Sequence, residues 1–212
     1  MLYLQKGVFQ KFVRWTAGRW MTANQATCFG AVFILLTAVS FYLGLTYAAC
    51  RWMLLLVPPF LLLRMAANAL DGMLAREYGT GSVVGEIVNE GMDVIGDMIC
   101  YGSLFFVPGG PRLSLTLLLI LIWMAEFFGV LGKGFPGGIR RHEAFLGGKA
   151  DRAAWMSLLA LLLFIWPDFF PRVDYFLLVM SLFVFATSVI RIRKTLLATK
   201  GQHYESFTLI GR

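Results

Sequence analysis

Long apolar runs, broken by short polar or Gly/Pro segments, divide the chain into six stretches of the length that a membrane helix needs. A hydrocarbon core of about 30 Å takes about 20 apolar residues of α-helix. On that scale the runs fall at Gln25–Ala49, Met53–Arg76, Val84–Val107, Leu113–Leu131, Ala153–Trp166 and Tyr175–Arg191. The fifth is short and either begins before Ala153 or tilts. Turn chemistry separates the later runs: Pro108-Gly109-Gly110-Pro111, then Gly132 to Gly148, then Pro167 to Pro171. Pro58-Pro59 inside the second run predicts a kink. Ahead of the first run, Leu4, Val8, Phe12, Val13, Trp15 and Trp20 alternate with Lys6, Lys11, Arg14 and Arg19. This is the pattern of a basic amphipathic helix lying on anionic headgroups. The expected fold is all-α: a polytopic membrane protein with six transmembrane helices and an N-terminal interfacial amphipathic helix. It forms one domain over 1–212, with the juxtamembrane helix at 1–22, the six-helix bundle at 23–199 and a tail at 200–212.

Composition agrees with that pattern. Of 212 residues, 58% are hydrophobic and only 15% charged, which is improbable for a soluble domain. The three cysteines, Cys28, Cys50 and Cys100, lie in or beside apolar runs. Their odd number and spacing speak against a disulfide framework or a zinc site. More than 20 residues precede the first apolar run, which is long enough to span, so it reads as retained rather than as a signal peptide. Basic residues are unevenly shared: 15 of the 19 flank alternate ends, against Arg51, Arg112 and Arg172 at the others, with Arg64 inside the second run. Both termini and the segment between the second and third runs are therefore expected on the cytoplasmic side. The net charge of +7 suits anionic lipid, and nothing points to nucleic acid.

Half of the chain's 12 acids fall between Asp71 and Asp97. Ionisable groups inside a membrane segment are costly and persist where they bind something. At about 100° per residue, Arg64, Asn68, Asp71 and Ala75 share one stripe of the second span, and Gly85, Asn89, Asp93 and Asp97 one of the third. If the two helices fold against each other, Asp71 and Asp93 offer carboxylates to a common cavity and Asn68 and Asn89 offer amide oxygens. Gly72, Ala75 and Gly85 leave room for a ligand. Hard oxygen donors of this kind suit Mg²⁺ or Mn²⁺ with a phosphorylated substrate.

The stretch Asn68-x2-Asp71-Gly72-x2-Ala75-Arg76-x8-Gly85-x3-Asn89-x3-Asp93 resembles the signature of the CDP-alcohol phosphatidyltransferases, Asp-x2-Asp-Gly-x2-Ala-Arg-x8-Gly-x3-Asp-x3-Asp. Thr22-x-Asn24-x2-Thr27, followed by Gly30, is similar to an element that opens the family's first span. The resemblance implies transfer of a phosphatidyl group from CDP-diacylglycerol to a small alcohol, with release of CMP, by a homodimer in a bacterial-type cell membrane. It implies Mg²⁺ or Mn²⁺ held at Asn68, Asp71, Asn89 and Asp93, with Asp93 also the general base. Gly72, Ala75, Arg76 and Gly85 would line the CDP pocket. Asn at the first and third acidic positions departs from the signature and removes two negative charges; Glu86, Glu90 or Asp97 can restore them, with Asp97 the alternative fourth acid.

Lys149 and Arg152, at the start of the fifth span, are similar to the basic entrance of bacterial phosphatidylinositol phosphate synthases, which holds an acceptor phosphate. With Arg191 they would form such a pocket here, although the positive-inside bias alone also places bases there. Arg64 and Glu126 are the remaining charges inside spans, and an ion pair between them is the expectation. Two other classes stand beside the enzyme: a catalytically inactive lipid-binding relative of the same fold, suggested by both Asn residues, and a small transporter, which lacks the expected repeat halves.

Overall fold

A computed structural model describes residues 23–77, 82–135 and 146–200. The expected amphipathic helix at 1–22, the basic residues Arg140 and Arg141, and the tail beyond Lys200 lie outside the described residues. Six α-helices are described: α1 (Ala23–Thr46), α2 (Val57–Glu77), α3 (Val83–Gly102), α4 (Arg112–Gly134), α5 (Lys149–Ile165) and α6 (Val173–Ala198). Short 3₁₀ stretches at Ala48–Leu56, Ser103–Phe106 and Pro167–Arg172 join or extend them. No strand occurs among the described residues.

Four helical stretches are long and apolar enough to cross a membrane: Gln25–Thr46, Ala48–Leu74, Arg112–Gly134 and Pro167–Ala198. Two of the six expected spans do not reach that standard by length and composition. α3 carries Glu86, Glu90, Asp93 and Asp97, and α5 has only 17 residues and opens with Lys149, Asp151 and Arg152.

Helix boundaries follow local chemistry. Pro58 and Pro59, where the sequence suggested a kink, lie at the point in the stretch Ala48–Leu74 where 3₁₀ winding gives way to α. At the start of α3, Ser82 Oγ accepts the Gly85 N–H at 3.0 Å, a side-chain N-cap. α5 begins at Lys149, earlier than Ala153, because the Gly148 N–H finds the Asp151 carboxylate at 3.0 Å. Before α4, Gly109 takes φ +71°, a left-handed turn conformation open to glycine at no steric cost.

The interior is built from Phe41, Leu54, Leu61, Tyr101, Leu118, Ile122, Met156, Leu159, Leu177 and Met180, all buried. α1 packs mainly on α2, and α4 on α6. Leu35, Leu62, Ile120, Trp123, Leu182 and Phe185 face outward, as expected where hydrocarbon replaces water as solvent. Gly96 of α3 allows close packing: a Cβ there would lie 2.5 Å from Arg64 Nη2 and 2.6 Å from Ile34 Cδ1, so both side-chain ends would have to shift.

Candidate functional site

α2 and α3 bring the two halves of the acidic motif together. Asn68 Nδ2 donates to Asp93 Oδ1 at 2.7 Å. Asp93 Oδ1 also forms an ion pair with the ammonium of Lys149, from the first turn of α5. Asp71, one turn after Asn68, accepts a hydrogen bond from Thr27 Oγ1 of α1 at 2.5 Å. Four helices thus meet around Asn68, Asp71, Asp93 and Lys149.

Thr27 had no role in the sequence reading, although it closes the Thr-x-Asn-x2-Thr element. Its signal lay in spacing: Thr27 and Gly30 share the face of α1 that meets α2. A Cβ at Gly30 would stand 3.0 Å from Asn68 Oδ1, so the absence of a side chain lets the Asn68 amide lie close to α1.

The other expected residues are distributed as follows. Asn89 lies half-buried one turn before Asp93 on the same face of α3. Gly72 is partly exposed beside Asp71, and Gly85 is exposed in the first turn of α3. Ala75 and Arg76 belong to the last turn of α2, where their side chains lie outside those described. Glu86 and Glu90 turn to α4, pairing with Lys133 Nζ at 3.2 and 2.9 Å.

Beneath Asp93 lies a sealed chain of charges. Asp97, one turn on, receives Arg64 Nη1 at 2.7 Å and Arg152 Nη2 at 2.8 Å. Arg152 Nη2 also reaches Glu126 Oε1 at 3.0 Å, and Arg191 Nη1 lies 3.5 Å from the same oxygen. Arg191 further donates to the Ala125 carbonyl, and Arg64 Nη2 to the Asp93 carbonyl at 3.1 Å. The series Arg64, Asp97, Arg152, Glu126, Arg191 alternates in sign across five helices, and every member is buried. Alternation offsets the desolvation that an isolated buried charge would suffer. The expected direct pairing of Arg64 with Glu126 is replaced by linkage through Asp97 and Arg152. Helix rotation decides this, because Arg64 faces α3 rather than α4. Of the three residues expected at an acceptor phosphate, Arg152 is fully enclosed at 0% exposure and Arg191 is buried, whereas the Lys149 side chain keeps 24%.

The donor set bears on a divalent cation. Asp71 and Asp93 supply two carboxylates, and Asn68 and Asn89 two amides, all hard oxygen ligands. Asp93 Oδ1 is occupied by the Lys149 ammonium and the Asn68 amide. Among the described residues no group of three His, Cys, Asp or Glu side chains assembles to hold a metal. Asn68 turns its amide nitrogen to Asp93 and its oxygen toward Gly30, so by donor chemistry alone the set offers two carboxylates and two amides, less charge than a four-carboxylate cage.

No family model matches the chain. Inner membrane protein YnbA of Escherichia coli (strain K12) is 34% identical over 200 residues, covering 92% of this chain and 96% of that protein. Similarity of that extent runs over most of the chain, and it accords with the four long apolar stretches. The chain is a helical membrane protein and belongs to the family of inner membrane protein YnbA.

Proposed function

We propose that the protein is a CDP-alcohol phosphatidyltransferase, moving the phosphatidyl group of CDP-diacylglycerol to a small alcohol. The observation that carries this reading is the 2.7 Å hydrogen bond between Asn68 and Asp93. It joins, across two helices, residues that the family signature sets 25 positions apart. In this reading all six helices cross the membrane, the acidic end faces the cytoplasm and the enzyme works as a homodimer.

The reaction is a displacement at the phosphatidyl phosphorus. The acceptor hydroxyl oxygen forms the new P–O bond, the bond to the CMP oxygen breaks, and Asp93 takes the hydroxyl proton. Mg²⁺ or Mn²⁺ held by Asp71, Asp93 and the amide oxygens of Asn68 and Asn89 would supply positive charge to the diphosphate. Gly72 and Gly85 leave space for the cytidine nucleotide along α2 and α3. Lys149, beside Asp93 and partly exposed, is the cation available to a phosphorylated acceptor. Arg152 serves that end indirectly, by fixing the start of α5 to Asp97.

A second reading, an inactive lipid-binding relative, is favoured by the two amides at acidic positions. One experiment separates the two. Purified protein in lipid nanodiscs is incubated with CDP-diacylglycerol, Mg²⁺ or Mn²⁺ and a panel of acceptors (glycerol phosphate, inositol phosphate, serine), and CMP is measured. The enzyme reading expects CMP release that needs both metal and one acceptor, and that is lost in Asp71→Asn and Asp93→Asn. Absence of CMP with every acceptor, or unchanged turnover in both variants, would refute it.

A further inference from the structure

Independent of that reaction, the opposite end of the bundle holds a cavity of about 270 Å³, lined by residues that include Thr46, Ala48, Arg51, Leu54, Leu163 and Phe170. We propose that this cavity binds the headgroup of an anionic phospholipid. Its place in the fold is the first argument. Thr46 ends one membrane-length stretch and Ala48 begins the next, so the cavity lies where hydrocarbon gives way to headgroups. Thr27, which contacts Asp71, is 19 residues away on the same helix; at 1.5 Å per residue this separates the two ends by about 28 Å, close to the thickness of a bilayer core.

Its chemistry is the second argument. The Arg51 guanidinium has no ion pair or hydrogen bond among the described residues, and no acidic side chain lines the cavity. Thr46 lines the cavity by its residue surface, while its hydroxyl is buried without a hydrogen-bond partner. A phosphodiester supplies the negative charge that the Arg51 guanidinium fork lacks. The apolar walls of Leu54, Leu163 and Phe170 suit a glycerol backbone and the first methylenes of acyl chains. Free phosphate would leave those walls wet, which commits the site to lipid.

Native mass spectrometry tests the assignment. Detergent-purified protein is equilibrated with equal amounts of dioleoylphosphatidylglycerol and dioleoylphosphatidylcholine, and the lipid retained per chain is read. Wild type is expected to hold one phosphatidylglycerol in preference to phosphatidylcholine. Arg51→Gln should lower that retention about tenfold, the loss of one charge-assisted contact. Ala48→Trp, which fills the cavity and keeps the charge, should lower it equally. Arg112→Gln, removing an exposed arginine at the same end, should leave it unchanged. Thermal melting of each variant in the same detergent confirms folding, and Ala48→Trp carries the test if Arg51→Gln is unstable. Equal retention of the two lipids, unchanged retention in a folded Arg51→Gln or Ala48→Trp, an equal loss in Arg112→Gln, or displacement by millimolar inorganic phosphate would overturn it.

Discussion

Asp93 and Asp97 are the same residue type on the same face of α3, one helical turn apart, and their surroundings divide them sharply. Asp97 is locked between the guanidinium groups of Arg64 and Arg152, both buried. Asp93 is held by one neutral amide and one partly exposed lysine. Arginine presents a rigid fork, whereas lysine brings a point charge on a flexible stem that can be withdrawn. A carboxylate between two forks is committed to architecture. One that faces an exchangeable ammonium remains open to another cation or to a proton.

Substitutions can break or sharpen that contrast. The largest effect is expected at Asp93→Asn: CMP release should fall on the order of 10³-fold, within the range for loss of a general base, while the melting midpoint in detergent stays near that of wild type. Asp97→Asn should do the reverse in kind. It leaves Arg64 and Arg152 facing each other in the interior and should cost about 3–5 kcal/mol of stability, read from denaturant unfolding. Asp97→Asn that is stable but inactive would erase the division.

Lys149→Gln comes next, raising the KM for a phosphorylated acceptor about tenfold, the worth of one charge-assisted contact, with the KM for CDP-diacylglycerol unmoved. Equal rises in both would remove Lys149 from the acceptor side. Lys133→Gln is expected to be the mildest. Its pairs with Glu86 and Glu90 are at least partly exposed, so the stability change should stay under about 1 kcal/mol.

The helices were legible because hydrocarbon length and turn residues both constrain them. The acidic stripe was legible because Asn89, Asp93 and Asp97 recur every four residues. Other features were hidden for physical reasons. Pro58-Pro59 inside an apolar run marks a disturbance of the helix but does not reveal that the winding ahead of it, from Ala48, is 3₁₀. The partner of Glu126 could not be read, since the choice between Arg64 and Arg152 depends on how far each helix is rotated. Depth was hidden too: periodicity puts Asp93 and Asp97 on one face but does not say which is sealed. Thr27 escaped because its partner lies 44 positions away.

The bare backbone at position 96 has a consequence for the buried charges beside it. Even the smallest side chain there would collide with the tip of Arg64 and with Ile34. An alanine there makes the ends of both side chains shift, and Arg64 is the one that is tied down, by its pair with Asp97. A shift of Arg64 disturbs one of the two bases on Asp97, whose other base, Arg152, starts α5. A bare backbone at position 96 thus keeps the charged chain in register with α1.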